Sequence, residues 1–225
     1  MSPTDTQPLK LCAAELDVAM ASLGFRGRRQ LFCKQISDET VFWTTLQILK
    51  GRKPFLGLFP RIGVTNRMVN QFLHTVLQES VNPSLPVGPA SVFDIDSGIT
   101  ATLGYLMPPP LEVEWYCDST QPSIHALVEK VVGRVDAYGL PFMKRFVDLP
   151  GFRAWAEDPE AERDALPLPS QPGVLRAAIF VLTGDTSRAR DIMTTSIAEC
   201  LQRGETLDEP GAEPMLRMRD YLFAA

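Results

Sequence analysis

Side chains able to do chemistry are few in this chain, and they are scattered. Cys12, Cys33, Cys117 and Cys200 stand 21, 84 and 83 residues apart with no CxxC pair, and His74 and His125 are remote from all four. Such spacing builds neither a zinc knuckle nor a disulfide framework. It predicts reduced thiols packed as small hydrophobes, with no metal and no cofactor. Asp94-Ile-Asp96-Ser-Gly98 opens like a calcium loop. It lacks a third oxygen ligand before the glycine and a glutamate at the twelfth position, so a solvated turn is expected. Glu112, Glu114 and Asp118 alternate with Val113, Trp115 and Cys117. An acidic outer strand face accounts for them without proton transfer or metal binding. Neither histidine has a carboxylate partner assignable from spacing, so no general base and no catalytic residue are assigned.

The sharpest feature is charge. Arg26, Arg28 and Arg29 follow one another within four residues, and Lys50, Arg52 and Lys53 form a second basic group. Phe25, Phe32 and Trp43 are nearby, and arginine beside aromatic rings is a pairing that protein interfaces use as anchors. A nucleic-acid surface is disfavoured by the sequence pI near 5.1 and by the absence of an RRM, KH or helix-turn-helix signature. Residues 1–70 hold ten Lys/Arg against five Asp/Glu, whereas residues 71–225 hold twelve against twenty-two. A basic end and an acidic end favour oriented association with an acidic protein or with a second copy of the chain.

The elements that must position these groups follow from periodicity. Residues 40–79 read as strand, turn, strand, helix: TVFWTTLQILK, GRKP, FLGLFPRIGV and TNRMVNQFLHTVLQE. Phe42, Leu46 and Ile48 share one strand face with Thr44 between them. Met68, Val69, Phe72, Leu73, Val76 and Leu77 recur at helical spacing behind Thr65 or Asn66 as N-cap. Before this seed, residues 9–23 form a helix closed by Gly24, and RGRRQLFCKQI is a short basic strand.

Residues 80–110, rich in proline and glycine, predict a folded loop with short strands near Ser91–Phe93 and Ile99–Leu106. LEVEWYCDS is a half-exposed strand. A helix capped by Ser119 or Thr120 then runs to Val135, and Gly139 and Pro141 interrupt it. FMKRFVDLPGFRAW continues in a looser helical register. Residues 157–173 have the composition of an exposed acidic linker. Helices follow at 174–183, from an Asp185 N-cap to about Arg203, and at 214–223.

The expected class is α+β: an antiparallel meander sheet of about five strands packed by helices, with an appended C-terminal helical segment. The expected organisation is an α+β domain over 1–156, a linker over 157–173 and a docked helical segment over 174–225. With 225 residues, 45% of them hydrophobic, apolar surface for a core is ample. No stretch approaches the roughly 18 apolar residues of a membrane span, and MSPTDTQPLK lacks a basic region followed by an apolar one. A cytoplasmic location is therefore expected.

Leu23-Gly24-Phe25, Ile62-Gly63-Val64 and the run from Tyr138 to Phe146 resemble uncharacterised bacterial α+β domain families, over residues 9–156. The C-terminal pair around Gly184-Asp185, with Ala189 after it, is similar to a single tetratricopeptide-type hairpin. The resemblance implies an α+β fold with a meander sheet and, as in some members, an immunity or adaptor role exercised by protein binding. The expectation is thus a non-enzymatic cytosolic protein-binding factor. The alternative is an enzyme or small-ligand-binding domain whose pocket is formed by the 80–110 loop over the sheet.

Overall fold

The computed structural model describes residues 7–28, 30–50, 55–77, 98–110, 115–158, 166–168, 172–204 and 212–224. The fold is α+β, as the sequence predicts. Helix α1 (Gln7–Ser22) precedes strands β1 (Arg26–Arg28), β2 (Leu31–Gln35), β3 (Thr40–Lys50) and β4 (Phe55–Asn66). Helix α2 (Arg67–Leu77), β5 (Gly98–Thr102), a 3-10 turn (Leu103–Leu106) and β6 (Trp115–Asp118) come next. Helix α3 (Gln121–Arg134) runs through a π-helical stretch (Val135–Gly139) into α4 (Leu140–Lys144). The chain ends with α5 (Leu149–Glu157), β7 (Leu166–Leu168), α6 (Pro172–Leu182), α7 (Thr186–Gln202) and α8 (Glu213–Phe223).

Contact density divides the chain into two compact units, 1–64 with 100–145 and 65–99 with 146–225. The helices expected at 174–225 belong to the second, together with α2 and α5. Residues 157 and 158 are described, 157 as the last residue of α5, and most of the expected linker lies outside the described residues.

In the first unit the sheet runs β1-β2-β3-β4 in chain order, and β1-β2 and β2-β3 pair antiparallel. One edge of β4 is taken by β3. The other is shared: β6 pairs with Phe55–Leu58, and β5 lies alongside further on, where the Thr100 hydroxyl donates to the Ile62 carbonyl at 2.9 Å. The inward face of β3 carries Phe42, Thr44 and Leu46, all buried as the alternation requires. Trp43 on the opposite face is buried too.

Helix α1 packs on α3 and β1. It closes on Gly24 at φ +81, where Gly24 N–H donates to the Ala21 carbonyl and Phe25 N–H to the Met20 carbonyl. That doubly bonded left-handed ending is one glycine adopts without a Cβ clash. The strand expected over 99–106 is strand only to Thr102, and residues 103–106 tighten into the 3-10 turn.

Gly139 and Pro141 do not interrupt the helix. Leu140 N–H donates to Val135 five residues back, so the backbone widens by one residue just before the proline that lacks a donor. Gly139 rests there against Ile62 of β4, which its missing side chain allows. Thr120 stands at the N-cap of α3, but its hydroxyl bonds Asp118 and Ser123 and caps no backbone N–H.

Among the described residues the second unit is mainly helical, with β7 and the ends of β4 and β5 as its strand residues. Asn66 caps α2, its Oδ1 accepting from Met68 N–H at 3.0 Å and Val69 N–H at 3.3 Å. Helix α2 packs on α6 and α8. Phe72 meets the Tyr221 ring edge-on at 5.4 Å, and Arg217 donates to the Leu77 carbonyl. The expected Asp185 N-cap is present and accepts from Arg188 N–H at 3.1 Å. Gly184 before it, at φ +82, ends α6 with the same two-bond pattern as Gly24.

Arg153 of α5 ties this corner together. Its guanidinium lies 2.7 Å from Glu157, 3.2 Å from Asp185 and 3.0 Å from the Thr183 hydroxyl, over the Phe180 ring. Among the described residues, no helix is long and apolar enough to cross a membrane.

Candidate functional site

The basic groups are placed by hydrogen-bond register. Arg26 pairs with Cys33, Arg28 with Leu31, and those two β2 residues with Trp43 and Thr45 of β3. The turn between β1 and β2 therefore points toward the Lys50 end of β3, and the β2–β3 turn points the other way. Gln30 extends the register past β2: its carbonyl accepts from Leu46 N–H at 2.9 Å, and its side-chain Oε1 accepts from Ile48 N–H at 2.8 Å. Both bonds require Gln30 to take φ +71, a left-handed conformation that non-glycine residues seldom hold without such anchoring.

Lys50 lies two residues beyond Ile48, about 7 Å along the strand. From the Arg28 row at Thr45 to Lys50 is five residues, about 17 Å, and Arg26 stands about 7 Å further back. The register thus brings Arg26, Arg28 and Lys50 into a basic stripe that follows the end of the sheet and not one of its faces, with the arginines on the Trp43–Thr45 face and Lys50 at a position of the opposite, Leu46–Ile48 face. Arg26 is exposed; Arg29, Arg52 and Lys53 lie outside the described residues. The stripe separates its arginines from Lys50 by more than the screening distance of about 8 Å at physiological ionic strength, so the two groups repel one another little. It costs folding little, and its meaning is geometric.

Other charges near it already have structural work. Lys34 donates its ammonium to the Leu23 carbonyl at 2.8 Å and lies over the Phe25 ring, closing α1. Phe25 and Phe32 are likewise core, at 2% and 1% exposure, so the aromatic anchors foreseen beside the arginines face inward. Phe32 lies across the β1 backbone: a Cβ on Gly27 would meet its ring at 2.4 Å. The Asp17 carboxylate also stands close to Gly27, which sets an acid beside the basic edge.

The remaining candidates are dispersed. His125 does have carboxylate partners: Glu15 at 3.2 Å, which lies on α1 and out of reach of sequence spacing, and Glu129 at 3.4 Å, four residues on along α3, a spacing the sequence does display. The arrangement links α1 to α3 on an open surface, with the imidazole 62% exposed. His74 is on the last turn of α2. Asp118 accepts from Thr120 and Ser123, and these hydrogen bonds hold its carboxyl below the ordinary range. Tyr116, on the same face, is half exposed; Glu112 and Glu114 lie outside the described residues.

Burial pushes the Cys12 thiol up to about 12, with Cys117 and Glu15 adding to the effect, and Cys33 up to about 11, so neither is a nucleophile near neutrality. Among the described residues, no three His, Cys, Asp or Glu side chains converge as a metal site. Asp94, Asp96 and most of the 80–110 loop, on which the ligand-pocket alternative depends, lie outside the described residues. No known protein family, curated protein or solved structure matches this chain.

Proposed function

We propose that the chain is a non-enzymatic protein-binding factor of the immunity or adaptor type, acting in the cytosol. Its contact surface is the basic stripe of the sheet, and its partner is an acidic protein. The observation that supports this is the register. Two basic groups separated by more than twenty residues of sequence, Arg26–Arg28 and Lys50, are carried on adjacent parts of one meander by the turn at Gln30. Charge of one sign gathered at one end of a sheet steers an oppositely charged partner and speeds encounter at low salt. The reading also fits a scaffold in which Cys12, Cys33 and Cys200 are buried and His125 sits on an open surface.

Charge reversal tests it. On the reading that these side chains serve a partner and not the core, Arg28→Glu, Lys50→Glu and Arg52→Glu together are expected to leave the melting temperature nearly unchanged. The same variant is expected to lose the partners that wild type retains in pull-downs. Identical partners at identical salt sensitivity would reduce the stripe to solvated surface.

A further inference from the structure

Strands β4 and β6 carry two large rings to the outside of the sheet. Their register sets Phe55 against Asp118, Leu56 against Cys117, Gly57 against Tyr116 and Leu58 against Trp115. Residues directly opposite each other in an antiparallel pair share a face. Leu56, Leu58 and Trp115 are buried, which fixes their face as the inner one. Phe55, Tyr116 and Asp118 are therefore held together on the other face, where Phe55 is 53% exposed and Tyr116 51%.

The chemistry of this face selects a cation. Phe55 and Tyr116 are diagonal neighbours across the ladder, about 7–8 Å apart, and Gly57 beside them adds no side chain. A cation seated between them lies within the roughly 6 Å of a ring centroid that a cation–π contact needs. Asp118, directly opposite Phe55, supplies the countercharge. It accepts from the Thr120 amide at 3.0 Å, from the Thr120 hydroxyl and from Ser123, and these bonds hold its carboxyl below the ordinary range. A carboxylate offers about four lone-pair positions, so three donors leave room for another. Arg61 is exposed on the same face of β4, but it stands about 20 Å along the strand from Phe55, beyond the screening distance.

We infer that this face is a second interaction surface, whose occupant is an arginine side chain of a partner protein. A guanidinium is planar, always charged and weakly hydrated, so it stacks on an aromatic ring while its fork donates to a carboxylate. The surface is independent of the basic stripe. Its charge preference is the reverse, and its residues come from β4 and β6.

Two fluorescein-labelled peptides test this on the full chain: an acetylated hexapeptide alternating arginine with alanine, and its twin with citrulline for arginine. Citrulline keeps the length and planarity of the side chain and removes its charge. By fluorescence anisotropy at low salt the arginine peptide is expected to bind about ten-fold more tightly, the effect of a cation–π contact and an exposed ion pair. Asp118→Asn is expected to remove most of that advantage. So is Phe55→Val with Tyr116→Val, in which β-branched residues keep the strands and only the rings are lost. Asp38→Asn, which removes the same charge at the β2–β3 turn, is expected to leave binding unchanged.

Equal binding of the twins would overturn the inference. A loss in Asp38→Asn as large as in Asp118→Asn would overturn it too, because the chain's net charge of -5 would then explain the binding. Sedimentation showing a dimer that Phe55→Val with Tyr116→Val dissolves would assign the face to a second copy and also overturn it. The triple charge-reversal variant of the stripe is expected to keep its affinity for the arginine peptide, so the two surfaces stand or fall separately.

Discussion

Thr44 faces inward between Phe42 and Leu46 with no exposure, and among the described residues its hydroxyl has no hydrogen-bond partner. A desolvated, unbonded hydroxyl is a net cost that the isosteric valine removes, and valine suits a strand at least as well. Thr44→Val is expected to raise stability by about 1 kcal/mol, read from urea midpoints at unchanged slope. Gly27 behaves oppositely. Alanine there must displace the buried Phe32 ring, and Gly27→Ala is expected to cost about 1–3 kcal/mol.

The buried thiols set an alkaline limit. In the unfolded chain they titrate near 9, and in the folded protein Cys12 and Cys33 titrate near 12 and 11, so the native state holds protons that the unfolded state releases. Their contribution is full below about pH 9 and is lost as pH rises toward the folded values. Guanidinium midpoints should fall between pH 8 and 10.5, and fall less in the Cys12→Ala, Cys33→Ala double variant. A double variant with the wild-type slope would rule the thiols out as its cause.

At the scale of elements, α2 shows how context replaces a sequence expectation. Its apolar stripe, Phe72 included, reads as the inner face of one helix. Phe72 is instead half-buried and meets Tyr221 of α8 edge-on, a pairing 149 residues away that no local pattern encodes. A double-mutant cycle on Phe72→Ala and Tyr221→Ala should return a coupling of about 0.5–1.5 kcal/mol, and additive effects would deny the contact.

Legible elements were those with local causes. The caps at Gly24, Asn66 and Asp185 and the stripes of α1 and α3 read directly from residue type and spacing. Three features did not. The π-helical stretch before Pro141 depends on a hydrogen bond that widens by one residue. The Thr120 hydroxyl was diverted by Asp118, a competing acceptor two residues back. The place of the basic stripe depends on Gln30, a residue of no special type whose side chain completes a ladder on another strand.

The whole molecule carries its charges unevenly, with a surplus of five positive charges over residues 1–70 and ten negative over 71–225. A partner steered to the stripe should associate faster as salt is lowered, while its dissociation rate changes little. Stopped-flow measurements between about 20 and 200 mM salt separate the two, across a range in which the screening length shrinks severalfold. An association rate indifferent to salt would mean that the partner is recognised by shape or apolar contact. The sequence alone could establish that charge is divided along the chain. Which parts of the basic half meet in space was not legible, because it is a property of strand order and register.

Gly24 and Gly184 end their helices with matching bonds and φ values of +81 and +82, and the twin geometry makes them a calibrated pair. A Cβ at Gly184 would have open space around it, so Gly184→Ala measures the handedness penalty of the backbone alone, about 1–2 kcal/mol. A Cβ at Gly24 would press on the Lys34 side chain at 3.3 Å, so Gly24→Ala incurs the same penalty and also disturbs the ammonium that closes α1. Subtracting one from the other isolates the Lys34 clamp inside the intact protein, with Gly184 serving as the internal blank. A difference of about 1 kcal/mol would show a lysine of the basic half spent on folding, and a difference of zero would return it to the pool of charges free for a partner.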